Sequence, residues 1–179
     1  MDTIEATSDE SGTLDLVDAL LAQWREQRPD LDCSPMGVID RLNRVSALLL
    51  VAQERVFRDF GLDYPSFDVL ATLRRTAGHQ LAPGELAQYM MITPGAITHR
   101  LTKLEAAGLV ERTLDRFDRR RVTVSLTDKG FKLVDEALVA HVDNERQLLA
   151  GFSTEEQGEF VRLLKHFMAD LYANQPSAH

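Results

Sequence analysis

The chain has one cysteine, Cys33, no long apolar run, few aromatics and too few bases to balance its acids. A lone cysteine excludes an internal disulfide framework and a cysteine-based zinc cluster. No stretch approaches the roughly 20 apolar residues needed to cross a bilayer. The opening MDTIEATSDESGT is acidic and polar, and lacks the basic stretch and apolar core of a secretory signal. A cytoplasmic protein is the simplest expectation. No H-E-x-x-H, G-x-S-x-G or P-loop pattern occurs, and His79, His99, His141, His166 and His179 are scattered. Neither an enzyme, nor a cofactor, nor a metal site is therefore expected.

Twenty Lys or Arg against 28 Asp or Glu give a net charge of -8, the wrong sign for a partner made of phosphates. The distribution says more than the sum. From Thr93 to Lys132 nine Lys or Arg stand against five Asp or Glu, a local +4, so the remainder carries -12. A basic island in an acidic body fits a protein that meets nucleic acid with one surface. Hydrophobic residues make up 44% of the 179, enough for a sizeable core.

Residues 1–12 read as a disordered tail. Leu14, Val17, Leu20, Leu21 and Trp24 form one helical stripe that ends at Arg28-Pro29-Asp30. Ser34-Pro35 reads as an N-cap with proline at the first helical position. The long helix behind it runs to about Phe60 and stops at Gly61. A third helix spans about Pro65 to Ala77, and Gly78-His79-Gln80 is a turn. A short helix, Pro83 to Met90, leads through Met91-Ile92 to Thr93-Pro94, a second cap-plus-proline signal. The helix that begins there ends at Gly108.

The hydrophobic period then switches from helical to alternating. Leu109 to Thr113 and Arg121 to Leu126 read as the two strands of a hairpin. Thr127 caps a helix to about Ala150. Ser153 and Glu156 form a capping box for a last helix to about Tyr172. The predicted fold is mainly α: a winged helix-turn-helix (61–126) between N-terminal helices for dimerisation and a ligand crevice (13–60) and C-terminal dimerisation helices (127–173), with a flexible tail at 174–179. An α/β enzyme would instead alternate strands and helices around a parallel sheet.

The helix after Thr93 carries the pattern of a recognition helix. Ile97, Leu101 and Leu104 bury one side, while Thr93, Thr98, His99, Arg100, Thr102 and Lys103 lie on or near the other. Short hydroxyls and long cations suit base edges and phosphates. An ordinary amphipathic surface helix would have the same composition, and the hairpin tilts the balance. Arg116, Arg119, Arg120 and Arg121 crowd its tip, interrupted by Asp118. After a helix-turn-helix such a tip is a wing that lays guanidinium groups along the backbone or in the minor groove. Asp115 and Asp118 are placed to hold some of these arginines by charge-assisted bonds.

These residues resemble the MarR family of bacterial transcription regulators. The resemblance rests on Leu104-Glu105-Ala106-Ala107-Gly108-Leu109-Val110-Glu111-Arg112, then Asp115-Arg116-Phe117-Asp118-Arg119-Arg120-Arg121, Val122, Val124, Leu126, Thr127 and Gly130. It covers about Pro35 to Tyr172. It implies a homodimer that binds a pseudo-palindromic operator in double-stranded DNA and acts mostly as a repressor. It also implies a small-molecule effector held between the dimerisation region and the DNA-binding domain. A narrower likeness is to the urate-responsive subgroup, on the extra N-terminal helix with Trp24 and on Asp68, Arg75 and Arg112. Arg100 matches a subgroup arginine that couples ligand binding to DNA release. An indole stacks on a planar heterocycle, and guanidinium groups neutralise its anion. In the plainer alternative Trp24 fills the core and Asp68 pairs with Arg75 or Arg112.

Two rival readings remain from the sequence. Cys33, near a helix start, is a candidate peroxide sensor. A protein-only interaction module explains the apolar helices but leaves the wing arginines without a task.

Overall fold

The computed structural model describes residues 14–114 and 122–174. The expected N-terminal tail, residues 175–179 of the C-terminal one, and the wing tip from Asp115 to Arg121 lie outside those residues. The chain divides into two compact units, Met1–Val51 and Ala52–His179.

The first unit contains α1 (Leu16–Gln27) and the first part of α2 (Met36–Asp59). Asp15 starts α1 with a capping box: its carboxylate accepts from the Val17 and Asp18 amides, and Asp18 accepts from the Asp15 amide at 2.9 Å. Arg41 of α2 grips both carboxylates, at 2.8 Å from Asp15 and 2.7 Å from Asp18. Ser34 does not cap α2 as expected. Its hydroxyl donates to Asp32 at 3.0 Å and its amide to the same carboxylate at 2.9 Å, a local turn that competes with a cap. The helix begins at Met36.

The second unit holds the winged module. Its helices are α3 (Tyr64–Arg75), α4 (Pro83–Tyr89), α5 (Pro94–Ala106), α6 (Asp128–Leu148) and α7 (Thr154–Asn174). Its strands are β1 (Gln80–Leu81), β2 (Val110–Leu114) and β3 (Val122–Leu126), in the order β1-β3-β2 and antiparallel throughout. Two residues of β1 are too few to show an alternating pattern, and the sequence reading took them for turn and loop. They close the sheet by pairing Gln80 with Ser125 and Leu81 with Val124. Other ends agree to within a residue or two; α7 takes in Asn174, one residue into the expected tail.

The core is built from α3, α4, α5, the sheet, the end of α2 and the start of α6. Phe57, Leu70, Leu73, Leu86, Ile97, Leu101, Val124 and Val134 are all but inaccessible. Phe57 stacks on Phe67 with ring centres 4.1 Å apart, and His141 lies against both rings. Arg74 ties α3 to α6 by donating to Asp135 at 2.7 Å while covering the Phe131 ring.

The end of α5 and the start of α6 are buckled together. Three successive carbonyls leaving α5 lack helical partners, as at any helix end. Lys129 Nζ donates to Ala107 O at 2.8 Å, Thr127 Oγ1 to Gly108 O at 2.7 Å, and the Thr127 amide to Leu109 O at 3.1 Å. Gly108 takes φ 69°, a turn conformation that favours glycine. Gly130 packs so closely that a Cβ there would sit 1.9 Å from the Leu109 carbonyl oxygen. Among the described residues no helix is long and apolar enough to cross a membrane, and no three metal-ligating side chains gather.

Candidate nucleic-acid interface

The helix-turn-helix is α4, the turn Met90–Ile92, and α5. Met91 takes φ 51° in the turn, an uncommon conformation for a residue with a side chain. Thr93 then caps α5 by accepting from the Ala96 amide at 3.3 Å, and Pro94 opens the helix. Ile97, Leu101 and Leu104 are buried, which fixes the rotation of α5 and leaves Thr98, His99, Thr102 and Lys103 on its open side.

The side chains on that open side differ in how free they are. Thr98 donates its hydroxyl hydrogen to Pro94 O at 2.8 Å, and Thr102 to Thr98 O at 2.9 Å. Each hydroxyl therefore faces outward as an acceptor beside a methyl group. Thr102 already accepts from Arg112 Nη2 at 3.2 Å, and Arg112 Nε lies 3.4 Å from Glu105. Arg112 thus clasps α5 from β2. Lys103 Nζ donates to Asp63 Oδ2 at 2.6 Å. Arg100 is half-buried, close enough to Asp68 and Tyr64 to influence both electrostatically. Thr98 and His99, near the start of α5, have the least competition for their outward faces.

Asp63 was missed by the sequence reading, which began α3 at Pro65. Its Oδ1 accepts the Ser66 amide at 2.8 Å, so it is the N-cap of α3. Partial burial alone would raise its pKa, but Lys103 and the Ser66 hydroxyl and amide outweigh that and bring it down to about 2. An aspartate two residues before a proline was the available signal.

The effector candidates fall into different settings. Burial raises the Asp68 pKa, opposed by Arg75 and Arg100, and among the described residues Asp68 has no hydrogen-bonded or ion-paired partner. The structure thus brings both Arg75 and Arg100 within electrostatic reach of Asp68. Arg75 ends α3 in the open, and Arg112 is committed to Thr102 and Glu105. Trp24 stands on α1 of the first unit, 42% exposed. Cys33 is buried in the same unit. The wing candidates Arg116, Arg119, Arg120 and Arg121 lie outside the described residues; the strands leading to them are paired as far as Leu114 and Val122.

A family model described as MarR matches residues 60–121, the winged module up to β3. The regulator PecS of Dickeya dadantii is 41% identical over 89% of this chain and 96% of its own length. The chain belongs to the MarR family. Like other members of the MarR family, it is a regulator of transcription and not an enzyme. The repressor YetL of Bacillus subtilis is 26% identical over 80% of this chain and 86% of its own. Among solved MarR structures, Sco3205 from Streptomyces coelicolor, crystallised with DNA, superposes with TM-score 0.72 at 27% identity. That match covers 82% of this chain and 95% of Sco3205.

Proposed function

We propose that this MarR-family regulator is a dimeric repressor that reads a pseudo-palindromic operator with α5 and the wing. A small anionic aromatic molecule, of which urate is the leading example, releases it. The observation that carries the reading is the geometry of α5: Ile97, Leu101 and Leu104 lock one side into the core and hold Thr98 and His99 open on the other. Major-groove reading by the N-terminal residues of such a helix needs that division. Sco3205, with the same fold, was solved with DNA, and YetL is described as a repressor.

Dimerisation is supported by α7. None of its residues is buried, and Phe160, Leu163, Met168 and Leu171 are each about half exposed. A helix with this much unburied apolar surface needs a partner. A two-fold pair of modules would address half-sites about one helical turn apart. Trp24, Asp68, Arg75 and Arg112 form the proposed effector set, supported by the 41% identity to PecS and by the half-buried Asp68, which has no hydrogen-bonded or ion-paired partner among the described residues. Arg112 is the informative member. An anion that drew it away would release its hold on Thr102 and Glu105. Burial of Cys33 disfavours the peroxide reading.

The test is fluorescence anisotropy of a labelled duplex taken from the DNA upstream of the gene. Tight binding that weakens as urate is added supports the whole reading. Binding indifferent to urate removes the effector and leaves the regulator. Absence of binding defeats the DNA assignment.

A further inference from the structure

We propose that Lys103 is a positioning residue that sets the angle of the recognition helix through Asp63, and that it makes no phosphate contact. This rests on the DNA reading above and reassigns one member of its contact set.

The argument begins with Asp63. Its two oxygens serve different elements: Oδ1 caps α3 through the Ser66 amide, and Oδ2 accepts from Lys103 at 2.6 Å. A carboxylate fixed by a cap is already oriented, so the pair avoids much of the entropy that weakens exposed ion pairs. An ammonium that left for a phosphate would give up this pre-oriented partner, so the phosphate contact would bring less than one made by an uncommitted lysine.

Position on the helix points the same way. Lys103 lies in the last turn of α5, far from the N-terminal end that enters the groove. Arg112 clasps Thr102 and Glu105, the neighbours of Lys103, from β2. The C-terminal half of α5 is therefore held by two lateral ties, one from β2 and one from the start of α3. The apolar contacts of Ile97, Leu101 and Leu104 fix depth and rotation. The lateral ties fix tilt, which a row of aliphatic contacts constrains poorly.

The test uses the full-length chain and a duplex that the wild type selects from a random-sequence library, with a scrambled duplex as control. Asn caps helices as well as Asp does, so Asp63→Asn removes the tether and keeps α3 capped. Asp63→Asn and Lys103→Gln are each expected to weaken binding to the selected duplex about tenfold for the dimer. The double variant should be no weaker than either single one. Affinity for the scrambled duplex should not change, and urea unfolding should report intact folding. The slope of log affinity against log salt, from about 50 to about 200 mM, should stay at the wild-type value in Lys103→Gln.

A phosphate contact gives opposite results. Asp63→Asn would then free the ammonium and leave binding unchanged or tighter, and Lys103→Gln would reduce the slope by about 1.8 for two protomers. Either result overturns the assignment. A wild type that selects no duplex removes the DNA reading itself, and this inference with it.

Discussion

The winged module and the C-terminal helix solve the problem of burying apolar surface in opposite ways. In the module, Leu73, Leu86, Ile97, Leu101 and Val124 are each at 1% exposure or less, all inside one chain. Along α7 a comparable supply of large apolar side chains stays open, and none is buried. The described part of the first region closes its own core; the second leaves its apolar surface open, as the proposed dimer requires. In the proposed dimer this division lets the winged module keep its shape while assembly is governed elsewhere.

The comparison can be broken most severely from within the module. Leu101→Ala should lower stability by about 3 kcal/mol, as a cavity in a core that cannot collapse around it, measured by urea unfolding. The α7 change Leu163→Glu should leave the module folded and dissociate the dimer at micromolar concentration, as followed by analytical ultracentrifugation. A variant that stayed dimeric would mean that the exposed face of α7 is not the interface. Next in size is the reading surface. His99→Ala should weaken binding to a selected duplex by about 1–3 kcal/mol without changing the unfolding midpoint.

Acid titration sharpens the contrast further. Asp63 has its folded pKa lowered from 3.8 to about 2. Its contribution is therefore fully present above about pH 4 and disappears as pH falls towards 2. The pair is about half exposed, so the loss should be under about 1 kcal/mol. Comparing acid unfolding of the wild type with Asp63→Asn isolates it. The smallest expected effect is at Asp68, whose pKa burial raises. Its penalty is absent below the unfolded pKa and fully present above the folded one. Asp68→Asn should thus be neutral or slightly stabilising at pH 7, while abolishing any response to urate. Marked destabilisation would assign Asp68 to structure.

Local pattern carried most of the architecture. The Thr93-Pro94 start, the Thr127 cap and the Ser153–Glu156 box were readable because each is a contact between residues a few positions apart, and all three are present. What escaped was non-local. The Lys103–Asp63 tie spans 40 positions and Arg74–Asp135 spans 61. No periodicity records which exposed cation meets which distant carboxylate. The same reason explains the candidate site. Composition singled out the polar side of α5, but not that Thr102 and Lys103 were already engaged by Arg112 and Asp63.

The buckle between α5 and α6 bears on how this protein can change over many generations. The Leu109 carbonyl fills the space a side chain at Gly130 would need, so that position has no near alternative. The open side of α5 meets no such wall. Variants that change the polar residues on the open side of α5 are accessible by single steps, while any side chain at position 130 is sterically closed. The joint therefore leaves inherited novelty to the open side of α5 and holds position 130 to glycine.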